Sequence, residues 1–159
     1  MNRRPFYTQA LFVVLGLLFC LSTSYGQDRE VPVAVSSTFQ QMFPKVSHLQ
    51  WEMEDNNWEA EFKVKGSEYS ANFDTNGKWL ETEVAIAISD LPQPVSGTLK
   101  DRFPACKTKE VEKVSTPKGT SFEVVLTCKD GQSEILLDST GTVLLEERIK
   151  AKDNEKETD

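Results

Sequence analysis

Apolar and polar residues alternate along most of the chain after residue 48. Trp58, Ala60, Phe62 and Val64 are apolar, and the residues between them are glutamate or lysine. A period of two with one polar side is typical of antiparallel strands that bury one face. With the turn residues between the runs, the pattern predicts four strands up to residue 88 and four more near 106–116, 120–129, 132–138 and 142–149.

A helical pattern precedes each group of four strands. In both patterns apolar residues recur every three or four positions, which places them on one face of a helix. Pro44 ends the first helix and Pro104 the second, because proline cannot continue a helix. The apolar positions are Val31, Val35, Phe39, Met42 and Phe43 in the first helix, and Val95, Leu99 and Phe103 in the second.

Two stretches of the chain share the same order of features. A Phe-Pro pair at 43–44 recurs at 103–104, and a turn at 74–77 recurs at 138–141. This predicts an internal duplication, with repeat 1 over residues 31–88 and repeat 2 over 90–149. The expected fold class is α+β: a tandem repeat of one helix followed by a four-stranded antiparallel meander, with the two sheets joined or packed side by side.

The two ends of the chain have a different composition. Two arginines near the start precede an apolar run at 10–21 and a small, mostly polar stretch at 22–26, which predicts a signal peptide over residues 1–26. The apolar run is too short to span a membrane. Lipidation at Cys20 is disfavoured because the preceding residue, Phe19, is large. Residues 150–159 are almost all polar or charged and are expected to form a disordered tail.

Charge and composition exclude several functions. Loss of residues 1–26 removes two arginines and no acid, so the net charge falls from −7 to −9, which argues against nucleic-acid binding. All eight glycines are isolated, so no phosphate-binding loop is present. His48 is the single histidine, and nothing beside it forms a triad or a metal-ligand set. We therefore expect no enzyme activity, no cofactor and no metal site.

The mature chain keeps two cysteines, Cys106 and Cys128. An even number in an exported protein predicts a disulfide. The pair flanks the turn at 116–119 symmetrically, so the two residues are expected to face each other across the first two strands of repeat 2. Strict alternation from Val111 places Cys106 on the opposite face, so this pairing requires a β-bulge.

Acidic residues crowd the strands of repeat 1, mostly on the polar face. The main interpretation is a solvated surface that keeps the protein soluble, and the second is a surface for a basic partner. The residues are Glu52, Glu54, Asp55, Glu59, Glu61 and Glu68.

The polar face of repeat 2 carries apolar substitutions. Glu61 aligns with Val125 and Asn72 aligns with Leu136, and Leu144 joins them if the turn at 138–141 contains a Gly bulge. This pattern predicts a partner-binding surface. The alternative is that repeat 1 or the tail covers these residues. The equivalent turn at 74–77 offers the same two turn types, and a Gly bulge there would make Trp79 face inward, toward the helices.

The order and spacing of these features resemble the PepSY-like, β-lactamase-inhibitor-like family of exported bacterial proteins. The residues that carry the resemblance are the helix leading into Phe43-Pro44, Trp51-Glu52, the run FDTNGKWLETE at 73–83 and Leu91-Pro92. The resemblance implies a periplasmic protein with a curved antiparallel sheet, and it implies no activity.

The function we expect is that of a non-catalytic periplasmic protein-interaction module, whose partner is another envelope protein. The alternative is a periplasmic protein that binds a small ligand or a cation on the acidic sheet face. The oligomeric state stays open.

Overall fold

The computed structural model describes residues 30–149, and the predicted signal peptide and tail lie outside this range. The elements in chain order are α1 (Val33–Met42), β1 (Ser47–Glu54), β2 (Asn57–Val64), β3 (Ser67–Phe73), β4 (Trp79–Ala85), a 3₁₀ turn (Ile88–Asp90), α2 (Gln93–Arg102), β5 (Lys107–Thr116), β6 (Gly119–Cys128), β7 (Gly131–Asp138) and β8 (Val143–Ile149). Within residues 30–149, neither helix is long and apolar enough to cross a membrane.

All eight strands form one antiparallel sheet, in the order of the sequence. In its middle β4 pairs with β5, with Thr82 opposite Ser115 and Ala85 opposite Glu112. The predicted fold class, a tandem repeat of helix-plus-meander units, is therefore wrong. The protein is an α+β structure built on a single eight-stranded sheet with two helices. Pairing of β4 with β5 gives partners to backbone groups that would be left open at the edges of two smaller sheets.

Both helices pack on the same face of this sheet. Val35 and Phe39 of α1 are buried against β1–β4, and Val95 and Leu99 of α2 are buried against β5–β8. Phe39 makes edge-on contact with Phe62, with ring centroids 5.0 Å apart. The sheet side of the first cluster consists of Trp58, Ala60, Phe62, Ala71 and Phe73, and that of the second of Val111, Phe122, Val124, Leu126, Ile135 and Leu137.

The turns before β4 and β8 touch the starts of the two helices. Gly77 and Gly141 have φ angles of 83° and 84°, which glycine adopts without strain. A Cβ atom on Gly77 would lie 2.5 Å from the carbonyl oxygen of Ala34, and one on Gly141 would lie 2.5 Å from that of Pro94. Only a residue without a side chain fits at these two positions.

The turn at 74–77 also settles the direction of Trp79. The register shifts after Asn72, so that Trp79 lies opposite Phe73 and packs against the first core cluster. Its indole Nε1 donates to the carbonyl oxygen of Glu81 at 2.7 Å and to Thr82 Oγ1 at 2.9 Å. Trp79 therefore faces the helices, as the Gly-bulge alternative requires.

Cys106 and Cys128 form a disulfide, with Cα atoms 4.3 Å apart. The register of β5 against β6 shifts between Thr108 and Glu110. This irregularity is the bulge that the pairing required. It returns Cys106 to the helix side of the sheet, where both cysteines pack against the second core cluster.

Candidate partner-binding surface

The sheet face opposite the helices carries the acidic residues, and we call it the acidic face. Ala60 and Ala71 pair on the helix side, so strand alternation directs Glu59 and Glu61 to the other face. The glutamates placed there by the strand registers are Glu52, Glu54, Glu59, Glu61, Glu68, Glu81, Glu83, Glu110, Glu112, Glu123, Glu134 and Glu147. The same registers place two lysines among them, Lys63 and Lys107.

Three pairs of glutamates lie directly opposite each other on neighbouring strands. These pairs are Glu52 with Glu59, Glu112 with Glu123, and Glu134 with Glu147. Like charges in directly opposed positions destabilise a pair of strands. A face selected only for stability or solubility would place opposite charges or small polar residues at these positions.

Burial and mutual repulsion disfavour the charged form of these carboxyl groups. Burial is the main cause in each case, and it raises the pKa of Glu59 to about 7, that of Glu83 to about 8 and that of Glu123 to about 9. Neighbouring carboxylates add to the effect. Glu112, whose own pKa is also raised by burial, acts on both Glu83 and Glu123. The carboxyl groups of β4, β5 and β6 thus form one electrostatically coupled set.

Glu123 is the most enclosed member of this set, with 5% of its surface exposed. Its protonated carboxyl group donates a hydrogen bond to the carboxylate of Glu134, which adds to the rise in the pKa of Glu123. The middle of the acidic face therefore holds a buried carboxyl pair that shares a proton.

Apolar side chains lie between the glutamates. Val125 is 4% exposed and lies opposite Glu110 on one side and Glu134 on the other. Leu136 is half-buried opposite Glu123. Val114, which the sequence did not single out, is also buried on this face, opposite Glu83.

The predicted partner residues thus differ in exposure. Val125 and Leu136 lie on the acidic face, as their alignment with polar residues of β2 and β3 suggested, but Val125 is enclosed. Leu144 is 56% exposed and lies at the register shift of β8. Within residues 30–149, no strand pairing places Leu144 on the acidic face. The β8 residue that lies opposite Leu136 on that face is the half-buried Leu145.

The acidic residues of the described chain are not arranged as a metal site. Within the described part of the chain, no group of three or more His, Cys, Asp or Glu residues is arranged to hold a metal ion. His48, the single histidine, lies at the irregularity of β1 with a φ angle of 55° and is exposed. Asp55 lies in the turn between β1 and β2 rather than on the acidic face.

A family model described as "Putative beta-lactamase-inhibitor-like, PepSY-like" matches residues 56–145. The chain belongs to this family. Among curated proteins, none matches this PepSY-like chain.

Solved structures share the fold of this PepSY-like protein. A DUF2874 family protein from Bacteroides uniformis ATCC 8492 is 18% identical with a TM-score of 0.70, and the match covers 75% of this chain and 90% of that one. A BLIP-like protein from Bacteroides fragilis NCTC 9343 is 21% identical with a TM-score of 0.70, with coverages of 79% and 92%. A third structure, from Bacteroides eggerthii DSM 20697 and described as "putative periplasmic proteins", is 17% identical with a TM-score of 0.70, with coverages of 76% and 91%.

Sequence reasoning found one half of the acidic face of this PepSY-like protein and missed the other. The acidic residues of β1–β3 were recognised because they crowd one short stretch. Glu83, Glu112 and Glu123 were missed because each stands in a different strand of the chain. The signal that could have found them is the alternation itself, since each of the three flanks an inward-facing position of its strand.

Proposed function

We propose that this protein is a non-catalytic periplasmic interaction module that binds another envelope protein through the acidic face. The observation that carries the proposal is Glu123, a carboxyl group buried in the middle of the face beside the carboxyl groups of Glu112 and Glu134. Proteins keep such costly groups mainly where function requires them.

Three further observations support the proposal. Directly opposed glutamates give the face a charge that a partner can neutralise. Leu136 and Leu145, which lie opposite each other, add apolar contact area next to that charge. The N-terminal signal pattern and a structural neighbour described as periplasmic both favour an envelope location.

Site-specific photocrosslinking in the cell envelope tests the proposal. A photoreactive phenylalanine analogue replaces Leu136 on the acidic face in one variant and the exposed Gln40 of α1 in a matched control. We expect a discrete crosslinked envelope protein from position 136 and none from position 40. The melting temperatures of both variants are measured to establish that each is folded.

Two outcomes contradict the proposal. A partner that crosslinks only from position 40 would move the interaction to the helix side of the molecule. A folded variant that yields no crosslink from position 136 would remove the acidic face as a protein-binding surface.

A further inference from the structure

The turn between β3 and β4 contains the one Asn-Gly pair of the sequence, Asn76 followed by Gly77. The backbone nitrogen of a glycine can attack the side-chain carbonyl carbon of a preceding asparagine, because glycine has no side chain to block the approach. Asn76 is exposed, so water can reach its amide group. The pair therefore has the groups that spontaneous deamidation requires.

The reaction balances with water alone. The backbone nitrogen of Gly77 loses its proton and bonds to Cγ of Asn76, while the bond from Cγ to Nδ2 breaks and Nδ2 leaves with that proton as ammonia. Water then opens the resulting cyclic imide at one of its two carbonyl carbons. Opening at Cγ gives aspartate, and opening at the backbone carbonyl gives isoaspartate, in which the chain runs through the side chain.

Hydrogen bonds within the turn restrain the reacting nitrogen. The backbone N–H of Gly77 donates to the carbonyl oxygen of Asp74 at 2.9 Å. Oδ1 of Asp74 accepts from the backbone N–H of Asn76 at 2.9 Å and from that of Lys78 at 3.0 Å. The Gly77 nitrogen must give up its hydrogen bond before it loses its proton, and the backbone on both sides of Asn76 is held in a turn. The intact turn therefore slows the attack.

Contact with α1 holds the whole turn in place. A Cβ atom on Gly77 would lie 2.5 Å from the carbonyl oxygen of Ala34 and 3.0 Å from the backbone nitrogen of Val35. Val35 is fully buried in the first core cluster, so this part of α1 has little freedom to yield. Movement of Gly77 toward Asn76 Cγ thus requires the turn to open locally.

We propose that Asn76 is a deamidation site, and that its rate is set by opening of the turn at 74–77 away from α1. Isoaspartate at position 76 adds one atom to the backbone directly before Gly77, whereas the contact with Ala34 tolerates no added carbon atom on Gly77. The modified turn no longer docks on α1. The proposal is independent of the proposed function, because it concerns the opposite side of the sheet.

The second half of the chain provides a matched turn without the reactive pair. Oδ1 of Asp138 accepts from the backbone N–H of Thr140 at 2.9 Å and from that of Thr142 at 3.0 Å. The backbone N–H of Gly141 donates to the carbonyl oxygen of Asp138 at 3.0 Å. Thr140 stands where the first turn has Asn76, and a threonine side chain cannot form the imide.

Peptide mapping by mass spectrometry tests the proposal on the exported protein. The protein is incubated at slightly alkaline pH, folded in buffer or unfolded in guanidinium chloride, and deamidation at Asn76 is followed with time. We expect the folded protein to react at least about tenfold more slowly, because reaction through an open state follows the population of that state. Equal rates would overturn control by the turn, and no reaction in the unfolded protein would overturn the site itself.

The variants Asp74→Ala and Asp138→Ala separate opening of this turn from unfolding of the whole protein. Each removes a pair of side-chain hydrogen bonds from one turn and leaves Asn76 and Gly77 unchanged. Each folded rate is divided by the unfolded rate of the same variant, which cancels changes in intrinsic reactivity. We expect this ratio to rise at least about threefold in Asp74→Ala and less than about 1.5-fold in Asp138→Ala. Equal rises, or no rise in Asp74→Ala, would overturn the role of the turn.

The melting temperature of the reacted protein tests the effect on α1. Deamidated protein carries an additional negative charge and is separated by ion exchange, and its isoaspartate content is measured by peptide mapping. The variant Asn76→Asp is the control, since it has the same charge with a normal backbone. We expect the isoaspartate form to melt about 3 °C or more below Asn76→Asp. Equal melting temperatures would overturn the loss of docking on α1.

Discussion

Glu112 on β5 lies directly opposite Glu123 on β6, on the sheet face away from both helices. Burial and neighbouring carboxylates raise the pKa of Glu123 to about 9, so Glu123 avoids this repulsion at neutral pH by holding a proton. Keeping Glu123 protonated above its ordinary pKa lowers the stability of the sheet where β5 and β6 meet. Since proteins tolerate such locally unfavourable groups at functional sites, this pair lies at the centre of the surface that we propose for binding.

The stability of the protein should fall as the pH rises above about 5. The folded-state pKa of Glu123 is raised from an ordinary value of 4.5 to about 9, and that of Glu83 to about 8, so between these values the folded state binds more protons than the unfolded state. The free energy of unfolding then decreases with increasing pH throughout this window. Thermal unfolding between pH 5 and pH 9 measures the effect.

The single variant Glu123→Gln serves as the control for this pH dependence. It removes the carboxyl group with the highest pKa and should flatten the curve. A melting temperature that rises from pH 5 to pH 9 would contradict the burial of these carboxyl groups.

Local patterns predicted the inner surface of the sheet. Alternation correctly assigned Trp58, Ala60 and Phe62 to the helix side, where all three are buried. The positions of Cys106 and Val111 even indicated a β-bulge between them, because both residues had to face the helices. These features follow from the period of two, which any half-buried strand imposes on its sequence.

The overall topology and the centre of the acidic face could not be read in the same way. Whether β4 pairs with β5 depends on contacts between Glu83 and Val114, which lie far apart in the chain, and no local period reports such a pairing. For the same reason Glu83, Glu112 and Glu123 appeared as separate surface residues. Only the continuous sheet brings them together.

Removal of the disulfide should destabilise the protein by about 3 kcal/mol, because the bridge limits the freedom of the unfolded chain over a separation of 22 residues. The double variant Cys106→Ser/Cys128→Ser is compared with wild type by chemical denaturation. Intact mass of the exported wild-type protein provides the control. Two free thiols in that protein would contradict the disulfide.

Gly77→Ala should destabilise the protein more than Gly66→Ala. Both glycines have positive φ angles, 83° and 91°, so both substitutions strain the backbone. A Cβ atom at Gly77 also collides with the carbonyl oxygen of Ala34, whereas one at Gly66 meets no atom within 4 Å. We expect the difference to exceed about 1 kcal/mol in unfolding free energy. Equal losses would show that the turn does not dock on α1.

Val125→Glu should lower the melting temperature strongly. Val125 is buried between Glu110 and Glu134, so the new carboxyl group would be desolvated among like charges, at a cost of about 2 kcal/mol or more. Leu136→Asn should cost less, because Leu136 is only half-buried. Leu144→Ala, at an exposed position, is the matched control and should change stability by less than about 0.5 kcal/mol. A Val125→Glu variant as stable as wild type would show that this part of the acidic face is open to water.

The free energy of unfolding of Glu83→Gln/Glu112→Gln/Glu123→Gln at pH 9 tests most directly whether these carboxyl groups serve binding rather than stability. At this pH Glu83 is mostly charged and Glu123 is about half charged, because their pKa values are about 8 and about 9, so removal of the carboxyl groups should relieve repulsion and stabilise the protein by about 1–2 kcal/mol. The variant Asp55→Asn/Asp90→Asn/Asp101→Asn should stay within about 0.5 kcal/mol of wild type. A triple glutamine variant less stable than wild type would show that the three glutamates support the fold, and would contradict the account.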